Sequence, residues 1–211
     1  MFIWICLGFR NWNLEIIYSM ERTLVLIKPD GVKRGIVGEI ISRFERAGLK
    51  LVAAKLVWVD KELVSRHYPD DRKEFIMGMG QKTLDNYKEL GIDPIKHAGT
   101  DDPHKIGLMI NQWNKELLSS GPVMAMVWEG NHAIANVRRI VGPTLPSMAQ
   151  PGTIRGDFSV DSSALANEKK RPIKNLIHAS GNKEEADYEI SLWFSGKEIH
   201  SYKRADEDVM F

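Results

Sequence analysis

The feature that most constrains the fold of this chain is an alternation of short apolar runs with helical patterns. Four runs are rich in β-branched residues and leucine, and this composition predicts buried strands. They lie at residues 22–27 (RTLVLI), 51–59 (LVAAKLVWV), 122–128 (PVMAMVW) and 175–178 (NLIH). Apolar residues at helical spacing and turn signals predict helices at residues 37–47, 61–67, 106–118, 131–140 and 182–194.

The order β-α-β-α…β-α-loop-β-α predicts an α+β fold. It favours a ferredoxin-like α/β sandwich with a four-stranded antiparallel sheet and additional helices. Residues 144–157 are rich in Pro and Gly and predict a long ordered loop. The charged residues 196–211 predict a tail that wraps the surface.

Composition excludes several classes of protein. The 211 residues suffice for one domain, which we expect at residues 20–211, and 43% hydrophobic with 27% charged residues is typical of soluble globular proteins. A net charge of +1 indicates neither a membrane surface nor specific nucleic-acid binding. Cys6 is the only cysteine, so a disulfide framework and a Cys-rich zinc site are excluded.

Residues 1–19 differ from the rest, being apolar and aromatic. The apolar run at residues 1–9 is shorter than the roughly 20 residues that cross a bilayer, and it lacks the basic segment and cleavage site of a signal peptide. We predict that Met20 is the natural start and that residues 1–19 are translated upstream sequence or a poorly ordered extension. A membrane-associating leader is the alternative.

The stretch at residues 175–189 carries the candidate chemistry. His178 lies where a strand passes into a helix, and strand ends face open crevices. Asn182 followed by Glu185 predicts a helix N-cap with a capping box. Glu189 lies two helical turns after Asn182 and could reach one imidazole nitrogen, leaving the other as a nucleophile or a base. A structural histidine is the alternative.

Several loops place cations or hydroxyls beside glycine or proline. The residues are Lys28, Arg138, Thr144 and Arg155. Each alone could be a solvated surface group, but together they would form an anion site, because phosphates need convergent ammonium and guanidinium donors. The phosphate loop GxxxxGK[ST] is absent, which excludes a P-loop enzyme.

At these residues the chain resembles the nucleoside diphosphate kinase family. The matching segments are RTLVLIKPDGVKRG at residues 22–35, GPVMAMVWEG at 121–130, PGTIRGDF at 151–158, NLIHAS at 175–180 and EISLWF at 189–194. The resemblance covers residues 21 to about 205, apart from an insertion around residues 80–112 that is similar to archaeal-type members. The family pattern differs at Ala179, Gly181 and Pro172.

The resemblance implies a mechanism and a set of site residues. His178 would be phosphorylated through Nδ1 by a nucleoside triphosphate and would pass the phosphate to a diphosphate by a ping-pong route, with Glu189 orienting the ring. Phe75 would stack on the base, which gives broad nucleotide specificity. Mg²⁺ would be held mainly by the nucleotide phosphates, with few or no protein ligands. The residues implied for the phosphates and ribose are Lys28, Tyr68, Arg138, Thr144, Arg155 and Asn175.

The resemblance also implies a homo-oligomer, a hexamer or a tetramer, in the cytoplasm. The insertion is expected to be a surface elaboration or a subunit contact rather than part of the active site. Two rival interpretations are a non-catalytic member of the family and an RNA-binding module of similar strand order, although the aromatic pattern of the latter is missing.

Overall fold

The computed structural model describes residues 20–210, so the predicted leader at residues 1–19 lies outside the described residues. A four-stranded sheet is made of β1 (Glu21–Ile27), β2 (Lys50–Val57), β3 (Val123–Gly130) and β4 (Ile177–Ala179). The strand order is β2-β3-β1-β4 and every pair is antiparallel. The predicted ferredoxin-like α+β fold is therefore confirmed.

Helices surround this sheet. In the described part of the chain they are α1 (Pro29–Lys33), α2 (Val37–Arg46), α3 (Lys61–His67), α4 (Lys73–Glu89), α5 (Pro94–Ala98), α6 (Pro103–Ser119), α7 (Ala133–Val141), α8 (Ile154–Phe158), α9 (Ser163–Glu168), α10 (Lys183–Trp193) and α11 (Glu207–Met210), with 3₁₀ turns at Pro146–Met148 and Gly196–Glu198.

β1 is central because both of its faces are buried. Val25 and Ile27 contribute to one core, which lies under α2 and α7, and Leu24 and Leu26 contribute to the other. This second core includes side chains of α3, α6 and α10. A strand buried on both faces is expected to be a continuous apolar run, and residues 24–27 form such a run.

Several segments differ from the sequence prediction. After β1, where Pro29 and Gly31 are turn signals, the chain forms the short helix α1. Pro29 occupies its first helical position, where a missing N–H costs nothing. The loop expected at residues 144–157 contains a 3₁₀ turn and the start of α8, because Thr153 caps α8 by accepting from the Gly156 N–H. The helix α9 was not predicted.

The insertion forms a helical hairpin of α4 and α6 joined through α5. The backbones of α4 and α6 touch at two glycines: a Cβ on Gly80 would lie 1.7 Å from the carbonyl oxygen of Pro103, and one on Gly107 would lie 2.0 Å from that of Ile76. Asp93 and Asp102 cap α5 and α6 by accepting from backbone N–H groups. Close backbone contact fixes α4 against α6.

The tail packs along β2, an edge strand. The His200 N–H donates to the Val52 carbonyl at 2.8 Å, and the Tyr202 hydroxyl donates to Leu51 at 2.9 Å. The predicted surface-wrapping tail is therefore confirmed over its described part. No helix within residues 20–210 has the length and apolar character needed to cross a membrane.

Candidate active site

Every site residue predicted from the sequence lines one cavity of about 740 Å³ at the end of β4. A volume of this size is typical of small-ligand sites. The residues are Lys28, Tyr68, Phe75, Arg138, Thr144, Arg155, Asn175, His178 and Glu189.

His178 and Glu189 are brought together by two elements. His178 lies in β4, which pairs with β1 and places the histidine opposite Leu26. Glu189 lies on α10, and both of its carboxylate oxygens are 2.9 Å from Nε2 of His178. A carboxylate can only accept, so Nε2 carries a proton and the Nδ1 of a neutral ring carries the lone pair.

Glu189 is buried but stays ionised. Burial alone would raise its pKa, but the neighbouring His178 and His67 rings and a hydrogen bond from the Ser180 hydroxyl hold the pKa of Glu189 down at about 2. The Ser180 hydroxyl donates to the carboxylate at 2.6 Å. The charge therefore faces the histidine over the whole physiological pH range.

The start of α10 confirms the predicted cap and corrects its second half. The Asn182 side chain accepts from the Glu185 N–H at 2.8 Å, as expected for an N-cap. The Glu185 carboxylate instead accepts from the Gly181 N–H at 2.8 Å, one residue earlier than in a capping box.

His67 is a residue of this cavity that sequence reasoning missed. Its side chain is fully buried and packs edge-on against the ring of His178, with 4.7 Å between ring centroids. Burial, together with the positive charge of a protonated His178, lowers the pKa of His67 to about 3, so the ring is neutral. The Trp193 indole donates to its Nδ1 at 3.4 Å, which puts the proton on Nε2. Its only sequence signal is its place next to Tyr68.

Lys28 and Asn175 form a buried pair at the floor of the cavity. The Lys28 ammonium donates to the Asn175 side-chain oxygen, and the Asn175 amide donates to the Thr144 carbonyl at 2.9 Å. Burial lowers the pKa of Lys28 to about 8, which Asp30 opposes and Arg155 reinforces. The lysine is thus a cation with little surrounding water.

Arg155 is held by backbone carbonyls. Its guanidinium donates to the carbonyls of Asn175, Gly142 and Ile177 at 3.2, 2.8 and 2.6 Å. Burial and the nearby Arg138 lower the pKa of Arg155 to about 10, so it is still protonated at neutral pH. Three backbone contacts fix this charge in place.

The chain before His178 has an unusual backbone. Leu176 has φ of 67°, in the left-handed region that favours glycine. Its N–H donates to the Asp30 carboxylate at 3.0 Å, and its carbonyl accepts from the Lys28 N–H at 2.8 Å. These bonds hold a bend that brings Asn175 and His178 to the same cavity, and such strain is common at functional sites.

The remaining predicted residues lie nearer the mouth. Burial raises the pKa of Tyr68, helped by Glu189 and Asp30, so its hydroxyl stays a donor. Arg138 and Thr144 are exposed. Phe75 is 51% exposed, and the Arg72 guanidinium lies 4.8 Å from its ring centroid. An exposed aromatic face in a cavity is suited to stacking.

His67, His178 and Glu189 also place donor atoms within 4.8 Å of one another. Two imidazoles with one carboxylate suit zinc-type ions rather than Mg²⁺, which prefers oxygen ligands. This cluster is therefore no site for a nucleotide-associated Mg²⁺ ion.

The family comparison agrees with this geometry. The sequence model of the family described as "Nucleoside diphosphate kinase" matches residues 21–80 and 110–199. Residues 81–109, inside the predicted insertion, are unmatched. Every residue lining the Glu189–His178 pair and the anion site falls in the matched ranges.

Relatives and solved structures agree. Nucleoside diphosphate kinase of Pyrobaculum aerophilum is 51% identical over 85% of this chain and 98% of its own length, and that of Archaeoglobus fulgidus is 40% identical over 91% and 98%. A crystal structure of an NDP kinase from Pyrobaculum aerophilum superposes with a TM-score of 0.84 at 49% identity, covering 86% of this chain and 100% of that one. A Borrelia burgdorferi nucleoside-diphosphate kinase with bound vanadate and ADP has a TM-score of 0.71 at 39% identity, covering 89% and 95%.

These matches define the class, a nucleotide phosphotransferase. The chain belongs to the nucleoside diphosphate kinase family.

Proposed function

We propose that this protein transfers the γ-phosphate of a nucleoside triphosphate to a nucleoside diphosphate through a phosphohistidine on His178. The observation that carries the proposal is the contact of Nε2 with Glu189 at 2.9 Å, which leaves the Nδ1 lone pair for attack. Kinship with nucleoside diphosphate kinases supports the same reaction.

The transfer has two balanced steps. Nδ1 of His178 attacks the γ-phosphorus, the bond from that phosphorus to the bridging oxygen breaks, and a nucleoside diphosphate leaves. A terminal oxygen of a second diphosphate then attacks the phosphohistidine, the phosphorus–nitrogen bond breaks, and His178 is restored. One site thus serves donor and acceptor in turn. Glu189 stays ionised and stabilises the protonated Nε2 throughout.

The charge that moves during transfer is stabilised by fixed donors. Lys28 and Arg155 are buried cations held by Asn175 and by backbone carbonyls, so they need not reorganise when charge develops. Arg138 and the protonated Tyr68 hydroxyl add donors at the same cavity wall. We assign Thr144 and Asn175 to contacts with the phosphates and with the ribose hydroxyls.

The base would stack on Phe75, and Pro172 also lines the cavity. Stacking depends on a π face that every base has, so a broad range of nucleotides would be accepted. Pro172 is kept in place by the loop around it, where Arg171 donates to Asp161 at 2.6 Å.

Mg²⁺ is proposed to enter with the nucleotide. Both carboxylates that line the cavity are engaged, Glu189 with His178 and Glu185 with Arg72 at 2.9 Å. The ion would therefore be held by phosphate oxygens and water, as Mg²⁺ commonly is. When bound it neutralises charge on the β- and γ-phosphates.

A homo-oligomer, a hexamer or a tetramer, is proposed as the working form. Leu56 and Trp58, at the end of the edge strand β2, are 60% and 69% exposed, and large exposed apolar side chains on a sheet edge favour association. Light scattering after gel filtration would give the mass of the assembly. A cytoplasmic location stays a prediction of the sequence.

Initial-rate kinetics test the two-step route. With the triphosphate and the acceptor diphosphate both varied, double-reciprocal plots should give parallel lines, because the first product leaves before the second substrate binds. Lines that intersect would mean direct transfer in a ternary complex and would overturn the proposal.

A further inference from the structure

The cavity extends past Phe75, the proposed platform for the base, into the insertion. Phe75, Met79, Lys82 and Asn86 recur at three- and four-residue spacing, so they form one stripe along α4. The first three line the cavity that holds His178. The stripe lies beside the buried face of α4, which contacts α6 through Ile76 and Gly80.

The far end of this stripe is closed by α9. The Asn167 side chain donates to the Asn86 side-chain oxygen at 3.1 Å, and Asn167 is itself buried. Ser163 and Ala166 of α9 also line the cavity. Lys82 therefore lies between the Phe75 platform and a closed end.

Lys82 is the charged side chain that residues 81–109 contribute to the cavity lining. Within residues 20–210 it makes no hydrogen bond or ion pair, and the same holds for the cavity residue Arg138, whereas Lys28, Arg72 and Arg155 are engaged. Helical side chains lean towards the helix N-terminus, and Phe75 lies in that direction from Lys82. Phe75 is two turns earlier, about 10 Å along the axis at about 1.5 Å per residue.

We infer that Lys82 is a specificity-determining residue that donates to the edge of the purine base and favours guanine and hypoxanthine over adenine. The inference rests on the proposed function, which puts the base on Phe75 and the phosphates beside His178. Guanine and hypoxanthine present the acceptors O6 and N7 on one edge, whereas adenine presents an amino donor beside N7. An ammonium can only donate, so it discriminates between these edges.

This role is additional to stacking and leaves the range of nucleotides broad. It makes the insertion part of the site. The sequence had instead favoured a surface elaboration or a subunit contact. Lys82 also lies outside the part of the chain that the family model matches.

Equilibrium binding tests the inference without relying on turnover. GDP, IDP and ADP are titrated calorimetrically, with Mg²⁺, into the full-length protein and into Lys82→Met, which keeps an unbranched side chain of similar size without the charge. GDP and IDP should bind the parent about fivefold more tightly than ADP, as expected for one charge-assisted bond made by an exposed ammonium. In Lys82→Met the ratio should approach one.

Two variants serve as controls. Lys82→Arg keeps a donor and should keep the preference, and Lys88→Met removes an exposed lysine of α4 that does not line the cavity, so it should leave all three affinities unchanged.

Three results would overturn the inference. The parent protein could bind all three nucleotides alike. Lys82→Met could weaken all three equally, which would make Lys82 a phosphate-attracting charge. IDP could bind like ADP, which would mean that the 2-amino group of guanine determines the preference for GDP. Phosphohistidine labelling, measured separately, reports on the proposed transfer. Failure of the Lys82 inference is therefore distinguishable from failure of the proposed transfer.

Discussion

Nε2 of His178 lies 2.9 Å from both carboxylate oxygens of Glu189, and the Ser180 hydroxyl donates to the same carboxylate at 2.6 Å. The strand that carries the histidine and the helix that carries the carboxylate are parts of different layers. Their contact binds Nε2 to a fixed anion. Nε2 therefore orients the ring, and Nδ1 is left to react.

Replacing Glu189 with Gln should slow phosphorylation of His178. The amide has the size of the carboxylate but no charge, so the His178 ring loses the fixed anion that holds Nε2. The single-turnover rate at neutral pH should fall by about 10²-fold, because the ring is held less well. A variant that is phosphorylated at the parent rate would contradict a positioning role for the carboxylate.

Lys28 predicts a basic limb. Its pKa is lowered to about 8, and a lysine is charged below its pKa, so the free enzyme should lose this cation as pH rises through about 8. The value of kcat/KM, which reports groups of the free enzyme, should fall over that range. In Lys28→Arg this limb should move to higher pH, because a guanidinium keeps its proton. A basic limb at the same pH in Lys28→Arg would assign it to another group.

Arg138 offers a matched comparison with its neighbour. Arg138 lines the cavity, whereas Arg139 is exposed on the same helix and does not. Arg138→Met should lower kcat/KM by roughly 10²–10³, the effect of removing one fixed donor to the transferring group. Arg139→Met should leave it unchanged. Near-normal turnover in Arg138→Met would remove this residue from the site.

His67 is expected to act by packing. His67→Ala should leave a void beside the His178 ring, slow phosphorylation by about 10–100-fold and lower the free energy of unfolding by about 2–4 kcal/mol. His67→Phe keeps a ring against His178 and should restore most of the rate. Single-turnover kinetics and denaturant unfolding check the two quantities. If His67→Phe were as slow as His67→Ala, the imidazole nitrogens would matter and the packing account would be wrong.

Much of the architecture could be predicted because the sheet is built from runs with a clear pattern. The run at residues 24–27 is apolar throughout because β1 is buried on both faces. The helix predicted at residues 61–67 begins after Asp60, whose side chain accepts from the Leu63 N–H. The antiparallel sheet follows from the order of the elements, whereas Tyr68, Phe75 and Asn175 were placed in the cavity only by the resemblance, since no local pattern shows which strand ends meet.

The features that the sequence did not predict depend on contacts made only in the folded protein. α8 is a single turn nucleated by the Thr153 cap in a stretch whose Pro and Gly content predicts a loop. His67 is chemically ordinary until the fold buries it between His178 and Trp193. Lys82 is one of many lysines, and only the packing of α4 against α9 places it at the cavity.

The most direct measurement is incubation of the protein with γ-labelled ATP, followed by removal of nucleotide and analysis of the bound label. The account predicts one labelled phosphate per chain on His178 that is lost in acid and stable in base. The label should pass to added GDP, and His178→Gln should remain folded but take up no label. Stable label on folded His178→Gln, or label that survives acid, would contradict the assignment of His178 as the phosphate carrier.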